Sequence, residues 1–306
     1  MRLLLHVAFA AAVASSPAFA QAPDAAPVVA AERAFAAETG EVGINRGFTR
    51  WSTPDAVVIG GGQAANVREA YPDRSKPADE PALAWWPNWA GIAKSGDLGF
   101  TTGGVSVNGA RAGHYFTVWK KQPDGHWLWV YDGGSGASAA DVPDAATEPL
   151  VLATAAIGSS SPEAAMAEVR AAEAALATAA GTGQAAAHLA VLADDGRLYV
   201  APRPPAIGHT AFAEALAGWP ATFDFGPTAG GGASDAGDLV WTYGPAAWER
   251  AGQPRHGQYV RLWQRRSSGW ALVFAQLIPA PAPPAPPASP APPEPPATPA
   301  PPPAGG

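Results

Sequence analysis

Residues 113–121, GHYFTVWKK, alternate strictly along the chain: His114, Phe116 and Val118 share one face of a strand, and Tyr115, Thr117 and Trp119 share the other. Segments 98–107 and 127–132 are likewise rich in β-branched and aromatic residues. Turns at Asn108-Gly109 and Pro123-Asp124-Gly125 divide the three runs, which predicts an antiparallel meander. Upstream the pattern is helical. An Ala-rich helix is expected over about Val28 to Thr39, a second short helix leading to Trp51, a strand through Val57–Ile59 and a short helix near Arg68–Tyr71. Helices first and a meander afterwards is an α+β order.

The same pattern returns at an offset of 141 residues. SGDLGFTTG (Ser95 to Gly103) falls on AGDLVWTYG (Ala236 to Gly244), Glu32 on Glu173, Phe35 on Leu176, Phe48 on Leu189, Trp51 on Leu192 and Val57–Ile59 on Leu198–Val200. After three inserted residues, GHYFTVW (Gly113 to Trp119) meets GQYVRLW (Gly257 to Trp263), and Trp127 meets Trp270. A shift held over so many apolar positions predicts two homologous domains, 24–134 and 160–278, with a linker over 135–159. Ser161-Pro162-Glu163 supplies the second copy's helix start: a cap, a first-turn proline and an acid that suits the helix dipole. A short helix is expected near Thr210–Leu216.

The ends differ from the body. Residues 1–20 read as a secretory signal: Arg2, the apolar run LLLHVAFAAAVA, and small residues in Ala18-Phe19-Ala20 before the cut. That run is too short to span a bilayer comfortably. The expectation is a periplasmic or secreted protein with no membrane span after cleavage. Residues 279–306 hold 15 prolines in 28 positions. Such a segment supports neither helix nor sheet and predicts a polyproline-like tail up to roughly 90 Å long. It serves as a spacer or as a tether to a cell-envelope partner. The chain has no cysteine, which removes disulfides, thiol nucleophiles and cysteine-held zinc. Its formal charge of -7 argues against nucleic acid or anionic lipid as partner.

VVIGGGQAAN (Val57 to Asn66) places Gly60, Gly62 and Ala65 in the spacing of a dinucleotide turn. Asp79 and Glu80 lie at a suitable distance, but Pro72, Pro77 and Pro81 break the parallel strand that should carry them. The matching LYVAPRPPAIG of the second copy has no glycine turn. No cofactor is therefore expected, and the glycines are expected to relax a loop between strand and helix. Outside the signal the histidines stand at 114, 126, 188, 209 and 256, without metal-ligand spacing, so no metal is expected.

ERAFAAE in the first helix, LAWWPNWAGIAKSGDLGFTTG, and GHYFTVWKKQPDGHWLWVYDGG together resemble the nuclear transport factor 2-like superfamily, more narrowly its SnoaL-like and DUF4440 group. The second copy keeps the helix, the GDL turn and the two Trp-bearing strands, but GPTAG replaces WWPNW, which marks it as degenerate. The resemblance implies two tandem cone-shaped, cystatin-like domains, each with N-terminal helices packed on a curved, mainly antiparallel sheet around a pocket. It also implies pairing through the outer sheet face, here as an intrachain pseudo-dimer. In ketosteroid-isomerase-like members a carboxylate base ends the first strand. That position falls on Gly60 and Ala201, and the first helices lack the tyrosine those members use.

Candidate chemistry then rests on which face of residues 113–121 lines the pocket. Arg261 belongs to the Tyr259–Trp263 face of the second copy, and an arginine favours an open face. This puts His114, Phe116 and Val118 on the pocket side, with Gln258 as the counterpart of His114. Asp132 ends the next strand within reach of His114, a candidate acid/base pair. The second copy has Ala275 in place of Asp132. Most of the 12 tryptophans are core. Trp51, Trp85 and Trp129 are the candidates for a ligand wall with Phe116 and Gln258. The leading expectation is a non-catalytic tandem pocket protein for a small apolar ligand or a partner. The alternative is an isomerase, dehydratase or cyclase acting through His114 and Asp132.

Overall fold

The structure, a computed structural model, describes residues 23–145 and 148–282; the expected signal, and the tail beyond residue 282, lie outside the described residues. In the first half, α1 (Ala26–Val42) stops at Gly43, whose φ of 94° a side chain would resist, and α2 (Ile44–Arg50) restarts at once. Then come β1 (Ser52–Gly60), β2 (Gln63–Asn66), α3 (Val67–Ala70), β3 (Leu83–Ile92), β4 (Leu98–Val107), β5 (Ala110–Lys121), β6 (Trp127–Gly136) and β7 (Leu150–Val151). The second half follows a similar order: α4 (Pro162–Leu189), β8 (Leu192–Tyr199), α5 (His209–Leu216), β9 (Asp224–Phe225), β10 (Gly230–Ala233), β11 (Leu239–Arg250), β12 (Gln253–Arg266) and β13 (Gly269–Pro279). Ser161 caps α4, its hydroxyl accepting from the Ala164 amide at 3.2 Å, and the helix kinks at Gly183. No helix among the described residues is long and apolar enough to cross a membrane.

The result is two α+β sheet regions. One sheet runs β2-β1-β6-β5-β4-β3-β7 and the other β10-β11-β12-β13-β8, with β9 on β11. Each is a meander whose last strand pairs in parallel with the strand that follows the helices: β1 with β6, β8 with β13. The expectation of cone-shaped domains is corrected by this order. Both sheets are open paths between two edge strands, neither curled nor closed. A meander closes only if its edges find each other, and here β2 and β7, or β10 and β8, remain at opposite ends.

The three glycines also find their place. Gly61 and Gly62, at φ of 55° and 71°, form the two-residue turn of the antiparallel β1–β2 hairpin. They join strand to strand, not strand to helix. A Cβ on Gly62 would also fall 2.2 Å from the Ala280 amide nitrogen, so the turn admits the end of the second half.

The two faces of β5 are used opposite to expectation. Tyr115 and Trp119 join Val28 and Phe35 of α1 in the interior under the helices. Phe116 and Val118 lie on the outer face, packed with Val260, Leu262 and Phe274 of the other sheet; the Phe116 and Phe274 rings stack at 3.8 Å. The error traces to Arg261. It is buried, not open, because Glu173 of α4 meets its guanidinium at 2.5 Å. A buried charge is tolerated when it is paired.

The halves therefore meet back to back, and their GDL turns exchange bonds reciprocally. Asp97 accepts from the Asp235 amide at 3.1 Å, and Asp238 accepts from the Lys94 amide at 2.9 Å. Residues offset by 141 thus swap roles across the contact, as in a two-fold interface. Lys120 spans the same contact, bonded to Asp97 and, at 3.1 Å, to Asp235.

Candidate functional site

A β-bulge builds the interior of the first half. Along β5 and β6, Val118 pairs with Tyr131 and Trp119 with Trp129, leaving Val130 unmatched. Simple alternation would put residues 129 and 132 on opposite faces. The extra residue puts both Trp129 and Asp132 inside, opposite Trp119 and Thr117. A cavity of about 310 Å³ lies there, walled by Phe48, Val58, Leu83, Trp85 and Val105, with Tyr71 and Asp132 as polar groups.

Asp132 is half-buried, and a 2.7 Å hydrogen bond joins its Oδ2 to Thr117 Oγ1. Burial pushes its carboxyl up to about 8, with the charge of Glu32 adding to the rise and the Thr117 bond opposing it. Glu32, from α1, is fully buried. It accepts from Trp85 Nε1 at 2.5 Å, Trp119 Nε1 at 3.0 Å and the Thr101 hydroxyl. Burial raises the Glu32 carboxyl, and these donors pull it back. The Tyr71 ring lies tilted against Phe48, centroids 4.5 Å apart; burial and the Asp132 charge push its phenol up.

The predicted residues separate. His114 and Asp132 do not form the expected pair. Asp132 is the cross-strand partner of Thr117, and His114 sits three residues from Thr117 on the same unbulged stretch, so its side chain points to the opposite face. His114 borders the cavity, but its ring meets Tyr199 edge-on at 5.2 Å. Burial lowers its imidazole below the ordinary value, and nearby Asp141 opposes that shift. Trp85 is in the cavity wall. Trp129 is buried core against Phe35 and Phe48. Trp51 packs on Trp119 and donates to Glu38 at 2.8 Å. Phe116 belongs to the contact between the sheets, and Gln258, half-buried, pairs with Pro245 and Ile278 at the far end of β12.

Glu32, Thr117 and Tyr71 were not among the sequence candidates. Glu32 carried a signal all the same: a carboxylate retained at the 141-residue offset on an otherwise apolar helix face. Thr117 and Tyr71 carried none. Among the described residues no cluster of His, Asp or Glu is arranged to hold a metal ion.

No protein-family model matches the chain, and no curated protein matches it. Solved structures do resemble parts of it. A ketosteroid isomerase-like protein from Erwinia carotovora atroseptica aligns at 22% identity over 36% of this chain and 91% of its own, with a TM-score of 0.30. An NTF2-like protein with a cystatin-like fold from Novosphingobium aromaticivorans aligns at 20% identity over 37% of this chain and 79% of its own, TM-score 0.30. An NTF2-like superfamily protein from Salmonella enterica serovar Typhimurium aligns at 13% identity over 39% and 94%, TM-score 0.33.

Proposed function

We propose that the first of two domains, 24–134, binds a small, largely apolar molecule in its interior cavity and exchanges a proton with it through Asp132. The carrying observation is a carboxyl pushed up to about 8 in a cavity with apolar walls. A group that titrates near neutral pH is equally able to give and to take a proton. In a 1,3-shift the Asp132 carboxylate takes a proton from one carbon of the ligand, leaving its electron pair delocalised on the ligand. The carboxylic acid then returns the proton to the other carbon. No co-reactant is consumed, so the reaction class is isomerisation. This reading keeps Asp132 from the expected pair and drops His114, whose ring is committed to the contact between the sheets. The base comes from the last strand of the meander, not from the end of the first, where Gly60 has nothing to offer.

The test is α-proton exchange of small cyclic ketones in D₂O, followed by NMR on the full chain. Expected is exchange that rises with a midpoint near pH 8 and is lost in Asp132→Asn. Binding of the ketones with no Asp132-dependent exchange would leave a binding pocket and overturn the proton-transfer reading. Native mass spectrometry of protein from its own host would then identify what is held.

A further inference from the structure

Tyr71 borders two spaces. One is the apolar cavity, where its ring lies against Phe48 of α2. The other is an open hollow of about 590 Å³, lined by Arg46, Thr49, Arg50, Arg68, Tyr71 and Asp73. Helix α2 builds a wall of each. At 3.6 residues per turn, Phe48 turns inward and is buried, while Arg46, Thr49 and Arg50 fall on the outward arc. Arg46 and Arg50, four residues apart, are neighbours on that arc. Helix α3 supplies Arg68 from the other side, its amide held by the Asn66 cap at 2.8 Å.

The hollow sets three guanidinium groups against one carboxylate, in a chain whose formal charge is -7. Arg46 donates through Nε to Asp73 at 3.0 Å, and Arg50 donates to Glu38 at 2.8 Å. A guanidinium has five N–H donors, so both keep others to offer. The Arg68 side chain has no hydrogen bond or ion pair among the described residues. Forked guanidinium donors in this surplus suit a carboxylate or a phosphate, which they bind through paired N–H bonds.

The second half has no such hollow at the matching place. At the 141-residue offset Arg46, Arg50, Arg68 and Tyr71 become Ala187, Val191, His209 and Phe212, and Phe212 is fully buried core. The cations and the tyrosine are therefore present only in the half that holds Asp132.

We propose that the ligand of the first half is an apolar molecule with one anionic group, whose body fills the cavity and whose anion passes Tyr71 to reach Arg46, Arg50 and Arg68. The inference rests on the reading that this cavity holds the ligand. Anchoring the charge in the hollow keeps it away from the Asp132 carboxylate. It also fixes which carbon of the body faces Asp132, so that binding energy from a remote group orients the reacting end.

The test is calorimetric titration of the full chain at low salt with three ligands of one shape. Each is a cyclohexanone with a short alkyl chain, ending in a carboxylate, in its methyl ester or in a phosphate. Expected is binding of the anions about tenfold tighter than the ester, an advantage that shrinks at high salt as the charges are screened. Arg68→Gln should remove most of that advantage and leave the Kd of the ester unchanged. Arg68→Lys should keep part of it, and Lys121→Gln, an exposed cation outside the hollow, should change nothing. A carboxylate that outbinds the phosphate supports the inference and names an apolar acid; the reverse order supports it and names a phosphate ester. An ester that binds as tightly as the anions, or an Arg68→Gln loss shared by all three ligands, overturns it. Asp132-dependent proton exchange of the ester would in that case still uphold the proton-transfer reading. Preference for the anions without any such exchange would sink that reading alone, and binding of none of the three would sink both.

Discussion

Two interiors built on one plan have taken opposite solutions to the same buried carboxylate. Glu173 is closed off by Arg261, whose guanidinium also lies 4.2 Å from the rings of both Phe225 and Tyr259. Glu32 has no such cation opposite it; Thr117 stands there, with Asp132 as its cross-strand neighbour at the cavity. A companion exchange lies where α1 meets α2. A Cβ on Gly47 would fall 2.1 Å from Thr39 Oγ1, whereas the matching positions in the second half are His188 and Ala180, both buried. The second interior thus places a buried histidine where the first has a glycine, while a cavity of about 400 Å³ still lies beside Glu173, Phe225 and Tyr259. The lesson is that two interiors of similar order keep the same buried carboxylate while the residue opposite decides whether a cation neutralises it or a second acid stands nearby.

The sharpest way to break this contrast is at the cations. Arg261→Met leaves Glu173 buried and uncompensated and should cost about 3–5 kcal/mol. Thr117→Val should cost only about 1 kcal/mol. Urea unfolding followed by tryptophan fluorescence measures both, and equal losses would remove the contrast. Arg261→Met combined with Glu173→Gln should recover much of the loss, because the stranded charge goes with the cation.

The next effect is the pH dependence, which has opposite signs in the two halves. Burial and the nearby Arg261 charge hold the His188 imidazole down to about 3, while its Nδ1 sits 2.8 Å from the Gln184 carbonyl oxygen. The unfolded chain binds that proton below about 6.5 and the folded chain does not, so stability falls as pH drops from there toward 3. His188→Gln should flatten that acid limb, by roughly 4 kcal/mol at its foot. Asp132 works the other way. Its folded carboxyl holds a proton that the unfolded one releases, so stability falls as pH rises from about 4 through 8. Asp132→Asn should be more stable than wild type at pH 8 by about 5 kcal/mol, and close to it at pH 4. Thermal melts across pH 3–9 give both slopes.

The smallest effect tests the shared plan. Asp97→Asn and Asp238→Asn each weaken one arm of the reciprocal turn contact and should cost about 1 kcal/mol apiece. Matched losses in the two single variants sharpen the pseudo-two-fold description. A loss in only one would show that the contact is not symmetric in energy.

Much of this was legible in the chain. The helix at Ser161-Pro162-Glu163, the turns at Asn108-Gly109 and Pro123–Gly125, and the offset pairing of Glu32 with Glu173 follow from local pattern and self-similarity. The site was only half legible. Asp132 was found for the wrong reason, through a partner on the opposite face. The mistake came from placing Arg261 in solvent, and its neutralising partner is 88 residues away, beyond any local window. The bulge at Val130 was equally hidden, since one unmatched residue in a strand leaves the alternation of the sequence intact and alters only the pairing.

What the sequence settled by itself was rhythm: where period 3.6 gives way to period 2, and that the rhythm occurs twice. What the tertiary structure decided was polarity, which face of each strand turns inward, and openness, that neither sheet closes. Alternation divides a strand into two faces without saying which is inside. That symmetry is broken only when helix α1, or the outer face of the other sheet, arrives to cover one of them.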